Sequence, residues 1–383
     1  MKIVCAKSVL AGEELFSSLG DVVLVPEEEI TPAHLQDADI LITRTKCRID
    51  RALLADTPVK FVGCAVAGTD HIDYASLQDL DVACIHAPGC NAASVADYVV
   101  TALLLEAERH GRDITASTLG LTGVGHIGRR VAARATAMGF TVLLNDPPRA
   151  AQEGTDKWSF MELADVLPVA DFVTVHVPYS QSGPFPTAHL LDYRFFESMA
   201  PGALLINAAR GGVMDSDACL AALEHGPLRQ ATLDVWEDEP TIRRDLLDAV
   251  DFATPHIAGY SLDGRLRGTQ MIYEACCRFL EEEPALSVDV DRWPAPEPRT
   301  LDVTGQSTQT VLTNLARLAY PLSDDDARFR AGASSDPARM ARHFVTCRRE
   351  YPVRREFSAH RFELVGAPDE VKQAARGCGF TIG

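Results

Sequence analysis

The chain has 383 residues, 46% of them hydrophobic, with 36 basic against 54 acidic side chains and a net charge of −18. That length exceeds one ordinary core and predicts two or three domains, while the acidic balance argues against a general affinity for nucleic acid or an anionic membrane, so an anionic ligand needs a local basic pocket. The ten cysteines include no Cys-x-x-Cys pair, Met1-Lys2-Ile3-Val4 reads as a strand rather than a leader, and the most apolar stretch, 92–105, is interrupted by Asp97 and too short to span a bilayer, which together predict a cytoplasmic protein.

From the N-terminus, β-rich runs alternate with helical or polar stretches as far as residue 90. The predicted strands are 3–5, 22–25, 40–43, 59–65 and 82–85, with helical segments at 13–19 and 50–55. Strands separated by helices predict a parallel sheet covered on both faces. Two loops follow predicted strand ends, where open α/β sheets bind ligands. In the first, Arg44-Thr45-Lys46, the two cations are suited to neutralise a phosphate. In the second, Cys64 to Asp70, Gly68 and the backbone amide at Val66 are available to a carboxylate. A buried helix is predicted from Ala92.

Residues 119–146 read as strand, glycine turn, helix, strand. In Gly123-Val124-Gly125-His126-Ile127-Gly128 the first glycine turns the chain, the second admits a pyrophosphate against the backbone, and the third lets helix pack on strand. Ile127, Val131, Ala135 and Met138 recur at helical spacing and aim a helix N-terminus at the diphosphate. Asp146 ends the second strand, where a carboxylate takes the ribose hydroxyls and repels a 2′-phosphate, so the expected cofactor is NAD. Runs at 172–177, 203–207 and 231–235, with a helical stretch at 215–224, extend this to a doubly wound, Rossmann- or flavodoxin-like sheet. A helix over 271–280 is expected to return to the first domain and leave a cleft between the two.

The resulting division is 1–92 with 266–287 for substrate, 93–265 for the dinucleotide, a proline-rich linker at 288–300, and an α+β unit at 301–383. The last unit is read as two amphipathic helices, a strand at 362–365 and a helix from Asp369. It is small for an independent core and is expected to dock on a partner subunit. Arg348, Arg349, Arg354 and Arg355 read as a solvated or interface face.

Three polar segments each begin where a β-rich run ends: Asn207-Ala208-Ala209-Arg210-Gly211, Asp234-Val235-Trp236-Glu237-Asp238-Glu239-Pro240, and Thr254-Pro255-His256-Ile257-Ala258-Gly259-Tyr260. A doubly wound sheet gathers such ends along one edge. Arg210 is suited to hold a carboxylate through two parallel N–H bonds, His256 to move a hydroxyl proton near neutral pH, and Glu239 to orient the imidazole.

The glycine turn and these segments resemble the D-specific 2-hydroxyacid dehydrogenases over residues 1 to about 285. The resemblance implies Arg210 at the substrate carboxylate, His256 as acid/base and Glu239 as its assistant. It puts Asp234 at the nicotinamide carboxamide and Gly123, Gly125, His126, Ile127, Gly128, Asp146, Val177, Ala208, Ala209 and Gly259 near NAD; no metal is expected. Within the family, 87–92, 146–149, 256–260, 264–269 and the C-terminal extension resemble a branch that acts on a small phosphorylated 2-hydroxy acid in pyridoxine biosynthesis, as a homodimer through its C-terminal domain. That implies Thr45, Tyr260 and position 66 as substrate contacts; which of the basic residues Arg44, Lys46 and Arg267 reaches the phosphate is left open by the sequence. Val66 and Val177 stand where the branch usually carries threonine, and Ala6-Lys7-Ser8 where its first strand leads into an acid and an asparagine. A dehydrogenase of another 2-hydroxy acid and a non-catalytic NAD sensor are the alternative readings.

Overall fold

The computed structural model describes residues 1–153 and 159–383, which form two compact units: 1–93 with 260–294, and 94–259 with 295–383. The first is built on five parallel strands, β1 (Lys2–Ala6), β2 (Asp21–Val25), β3 (Ile40–Thr43), β4 (Phe61–Cys64) and β5 (Ala83–His86), in the order β2-β1-β3-β4-β5. Strands β3 and β4 are buried along their whole length, as strands covered on both faces must be. The strand order reverses between β1 and β3, so the loops after these two strands open the crevice where such sheets take ligands.

The helix expected over 13–19 shortens to Gly12–Phe16, because the hydroxyls of Ser17 and Ser18 turn back onto the carbonyls of Glu14 and Leu15. The helix expected over 271–280 is the second half of an 18-residue helix, Leu262–Phe279, started by Ser261, whose Oγ accepts from the Gly264 amide at 2.9 Å. It packs directly on β4, where a Cβ at Gly63 would stand 2.3 Å from Cγ2 of Ile272.

The second unit carries β6 (Thr118–Thr122), β7 (Thr141–Asn145), β8 (Phe172–Val175), β9 (Ala203–Asn207), β10 (Leu228–Leu233) and β11 (Phe252–Ala253), all parallel, in the order β11-β10-β9-β8-β6-β7. The order reverses beside β6, and the glycine turn follows that strand directly. The helix Ala92–Arg109 runs one turn further than predicted. Asp97, which interrupts its apolar run, is 1% exposed and is held there by Arg134 and by the amide of Phe357 at 3.0 Å.

The C-terminal segment departs most from expectation. It has three parallel strands, β12 (Arg299–Asp302), β13 (Arg361–Val365) and β14 (Thr381–Ile382), and three helices rather than two before β13: Thr308–Ala319, Leu322–Ala331 and Pro337–Arg349. The stretch at 288–300 thus ends inside a strand. Both missed elements are polar: Arg299-Thr300-Leu301-Asp302 offers one apolar residue, and Asp324-Asp325-Asp326 breaks the stripe of the middle helix. The segment completes its core within its own unit, where Val371, Ala375 and Phe380 join the buried cluster of Val131, Ala135 and Phe140. Arg354 is 7% exposed, which corrects the reading of that arginine as a solvated face. Among the described residues no disulfide joins the cysteines, and no helix is long and apolar enough to cross a membrane.

Candidate functional site

The glycine turn has the geometry its spacing predicts. Gly123 sits at φ 87°, and a Cβ there would meet the carbonyl oxygen of His176 at 2.7 Å and Cγ1 of Val177 at 3.0 Å. At Gly128, the first residue of the helix Gly128–Met138, a Cβ would lie 1.9 Å from the Gly123 carbonyl oxygen. Gly125 and His126 are exposed, and a Cβ on Gly125 would meet nothing within 4 Å, so the backbone lies open to a diphosphate at the helix N-terminus. Asp146 accepts from the amides of Val124 at 2.7 Å and Arg149 at 3.1 Å, tying the end of β7 to the turn. Arg149 in turn donates to the Val124 carbonyl at 2.6 Å and pairs with Glu153. A carboxylate has acceptor capacity beyond two amides, and the donor set fits a dinucleotide with free ribose hydroxyls.

The three polar segments meet at the ends of β9, β10 and β11. The Asp234 amide donates to the Asn207 carbonyl at 3.0 Å, and the His256 amide to the Asp234 carbonyl at 2.6 Å. Gly211 touches the next loop so closely that a Cβ would lie 1.8 Å from the Trp236 carbonyl oxygen. Arg210 therefore stands at the start of a loop locked to the one carrying Glu239; its Nη1 donates to the Ala209 carbonyl at 2.9 Å. The Ala209 amide is held by the Asn207 side chain at 3.1 Å, and Ala208 is 7% exposed.

His256 and Glu239 form the expected pair, Nδ1 to Oε1 at 2.5 Å, both about a quarter exposed. Although burial pushes the Glu239 carboxyl up, the hydrogen bond and charge of His256, and then the charge of Arg348, hold it below its ordinary range. The anionic carboxylate accepts the Nδ1 proton, which leaves Nε2 of His256 as the basic nitrogen. His256 itself has φ 56°, a left-handed conformation that a residue with a side chain keeps only under constraint. The constraint is visible: Asp234, 1% exposed, accepts from Oγ1 of Thr254 and the amide of Ile257, each at 2.7 Å, and from the amide of Ala258 at 2.9 Å. Burial pushes the Asp234 carboxyl up, against the opposing charge of His256. Expected at the nicotinamide, Asp234 thus also anchors the His256 loop.

Two groups that the sequence reading missed act on this loop from the C-terminal segment. Arg354 donates through Nη2 to the Ala258 carbonyl at 2.6 Å and lies 4.1 Å over the Tyr320 ring. Asp326 accepts from the Ala253 amide at 2.8 Å, at the end of β11.

In the first unit, the loop after β3 is pinned by Glu27, 3% exposed, whose Oε1 accepts from the amides of Arg44 at 3.1 Å and Lys46 at 2.7 Å. Thr45 is exposed at its apex. Lys46 pairs with Glu28 at the surface, and Arg267 is exposed and donates to the Cys90 carbonyl at 2.5 Å. Val66 corrects an expectation: its side chain is 7% exposed and its amide donates to the Cys64 carbonyl at 2.7 Å, a tight turn that leaves the amide engaged. Arg265, a residue outside the predicted set, lies beside Arg44 and Tyr260.

Residues 92–258 match the family model described as D-isomer specific 2-hydroxyacid dehydrogenase, NAD binding domain, and 293–375 match one described as a domain of unknown function, DUF3410. The chain is 42% identical over 359 residues to the erythronate-4-phosphate dehydrogenase of Escherichia coli O7:K1, covering 94% of this chain and 93% of that one, and the Shigella flexneri protein of the same name gives the same figures. Among solved structures it is similar to the TT0316 protein from Thermus thermophilus, with TM-score 0.62, 28% identity, and coverage of 74% of this chain and 99% of that one. Its fold is also that of the NAD-dependent formate dehydrogenase from Staphylococcus aureus in complex with NAD, with TM-score 0.60, 23% identity, and coverage of 73% and 96%.

Proposed function

From the premise that the chain belongs to the D-isomer specific 2-hydroxyacid dehydrogenase family, we propose that it oxidises 4-phospho-D-erythronate to (R)-3-hydroxy-2-oxo-4-phosphobutanoate in pyridoxal 5′-phosphate biosynthesis. It is an NAD-dependent dehydrogenase. Bound NAD supplies the acceptor for the C2 hydride. Gly123, Gly125, Gly128 and Asp146 would hold its diphosphate and ribose, with Val177, Ala208, Ala209 and Gly259 near it. Arg210 grips the substrate carboxylate through parallel N–H bonds. His256 takes the C2 hydroxyl proton on Nε2, and Glu239 keeps Nδ1 protonated and offsets the positive charge that the ring gains.

The observation that carries this reading is the Glu239–His256 hydrogen bond of 2.5 Å on a loop tied through Asp234 to the loops of Arg210 and Glu239. The test is His256→Ala, expected to lower turnover at least about 100-fold with NAD binding retained; near-normal turnover refutes the assignment. Rates over a panel of phosphorylated and plain 2-hydroxy acids decide the substrate, and a preference for plain acids removes the pyridoxine reading.

We place the enzyme in the cytoplasm as a homodimer joined through residues 301–383. Val353 at 77% and Val365 at 49% exposure supply apolar surface that supports a subunit contact.

A further inference from the structure

Arg44 and Arg265 bring two cations together in the first unit. Both guanidiniums point at one carbonyl oxygen, that of Ser8: Nη1 of Arg44 at 3.4 Å and Nη2 of Arg265 at 3.1 Å. Ser8 follows β1 and Arg44 follows β3, so the pair stands at the reversal of strand order, where an open parallel sheet takes ligands. Arg265 comes from the first turn of the helix Leu262–Phe279, whose positive dipole end adds to the local charge.

Among the described residues neither guanidinium has a carboxylate within 4 Å, while Lys46 two positions along is neutralised by Glu28. Glu27, the acid whose charge acts on Arg265, is already engaged: it accepts from the amides of Arg44 and Lys46 and from Oγ1 of Thr43 on one oxygen, and from Oγ of Ser8 at 2.5 Å on the other. Nε of Arg265 is buried and has no partner. Burial, and then the charge of Arg44, push the Arg265 guanidinium down to about 10, against the smaller opposing influence of Tyr260 and Glu27.

We propose that Arg44 and Arg265, with the phenol of Tyr260 beside them, form the subsite for a phosphomonoester dianion, the phosphate end of the substrate. This deepens the function proposed above and rests on it for the identity of that substrate. Two guanidinium forks match the charge and the oxygens of a tetrahedral dianion, whereas a carboxylate satisfies only one. The same pairing assigns Lys46 and Arg267 to the surface.

The test uses the full chain with Arg265→Met, Arg265→Lys and Arg44→Met. Steady-state kinetics on 4-phospho-D-erythronate and D-erythronate give a specificity ratio, and inorganic phosphate is titrated by calorimetry. The ratio is expected to fall at least about 30-fold in Arg265→Met, mostly through KM, with partial recovery in Arg265→Lys and loss of the phosphate signal in both methionine variants. Equal losses on the two substrates, or an unchanged ratio with phosphate binding intact, overturn the subsite while leaving the dehydrogenase assignment in place. If the unaltered protein shows no preference for the phosphorylated acid yet binds phosphate through Arg265, the substrate reading falls and the subsite stands. Should Arg265→Met fail to fold, Arg44→Met and Arg265→Lys decide by the same two measurements.

Discussion

Replacing Arg354 by methionine removes a single buried cation from the far end of the chain and is predicted to slow catalysis at His256. Arg354 is 7% exposed; its guanidinium donates to the Ala258 carbonyl at 2.6 Å and covers the Tyr320 ring at 4.1 Å. A hydrogen bond from a charged donor contributes about 1.5–3 kcal/mol, and a desolvated cation–π contact about 1–2 kcal/mol, so the variant should lose about 2.5–5 kcal/mol of stability. Part of that loss falls on a loop whose histidine is held at φ 56°, a conformation worth of order 1–3 kcal/mol of strain that only its surroundings maintain. If relaxation of that strain is expressed in the transition state, kcat falls about 10- to 100-fold, at roughly 1.4 kcal/mol per decade. The assays are NADH formation at saturating substrate, NAD affinity by fluorescence quenching, and thermal melting. NAD affinity should change little, because the glycine turn and Asp146 lie elsewhere. A kcat within about twofold of the unaltered protein, with an unchanged melting temperature, refutes the claim that the C-terminal segment clamps the histidine loop.

Two further outcomes follow, one from the same loops and one from a buried carboxyl in the last turn of the long helix. Gly211→Ala places a methyl 1.8 Å from the Trp236 carbonyl oxygen, which is backbone and cannot swing aside; it should cost about 1–3 kcal/mol or more and lower kcat by displacing the Glu239 loop, and an active, fully stable variant would falsify the contact. Glu106, 1% exposed and bonded by Oγ1 of Thr232 at 2.5 Å, has its carboxyl pushed up to about 8 by burial. Its folded pKa exceeds the unfolded one, so the stability it contributes is complete below about pH 4.5 and is lost as pH rises toward 8. Glu106→Gln, which cannot ionise, should therefore melt higher than the unaltered protein at pH 8 and show a flatter profile between those values; parallel melting curves against pH would exclude the effect.

Local pattern was enough wherever the physics is local. The glycine spacing, the helical recurrence of Val131, Ala135 and Met138, and the acid at the end of β7 specify a dinucleotide turn through backbone sterics and the helix dipole, which need only neighbouring residues. The order Arg210, Glu239, His256 was equally legible, since each follows an apolar strand and a parallel sheet collects those ends. The Glu239–His256 bond then appears as the topology requires.

What the sequence could not decide is which of several chemically equal side chains faces inward. Arg267 and Arg265 lie two residues apart, and with the helix expected only from 271 neither had a face. Once the helix starts at Leu262, Arg265 shares a stripe with Gly268, Thr269 and Ile272 and turns in, while Arg267 turns out. Arg354 and Arg355 are likewise adjacent in the text, and only packing against Tyr320 and the Ala258 carbonyl buries the first. Composition and periodicity determine that a chain folds into sheets with ligand crevices; the choice of which charge is desolvated belongs to contacts between residues 96 positions apart for Arg354 and Ala258 and 257 apart for Arg265 and Ser8, which no short window of sequence contains.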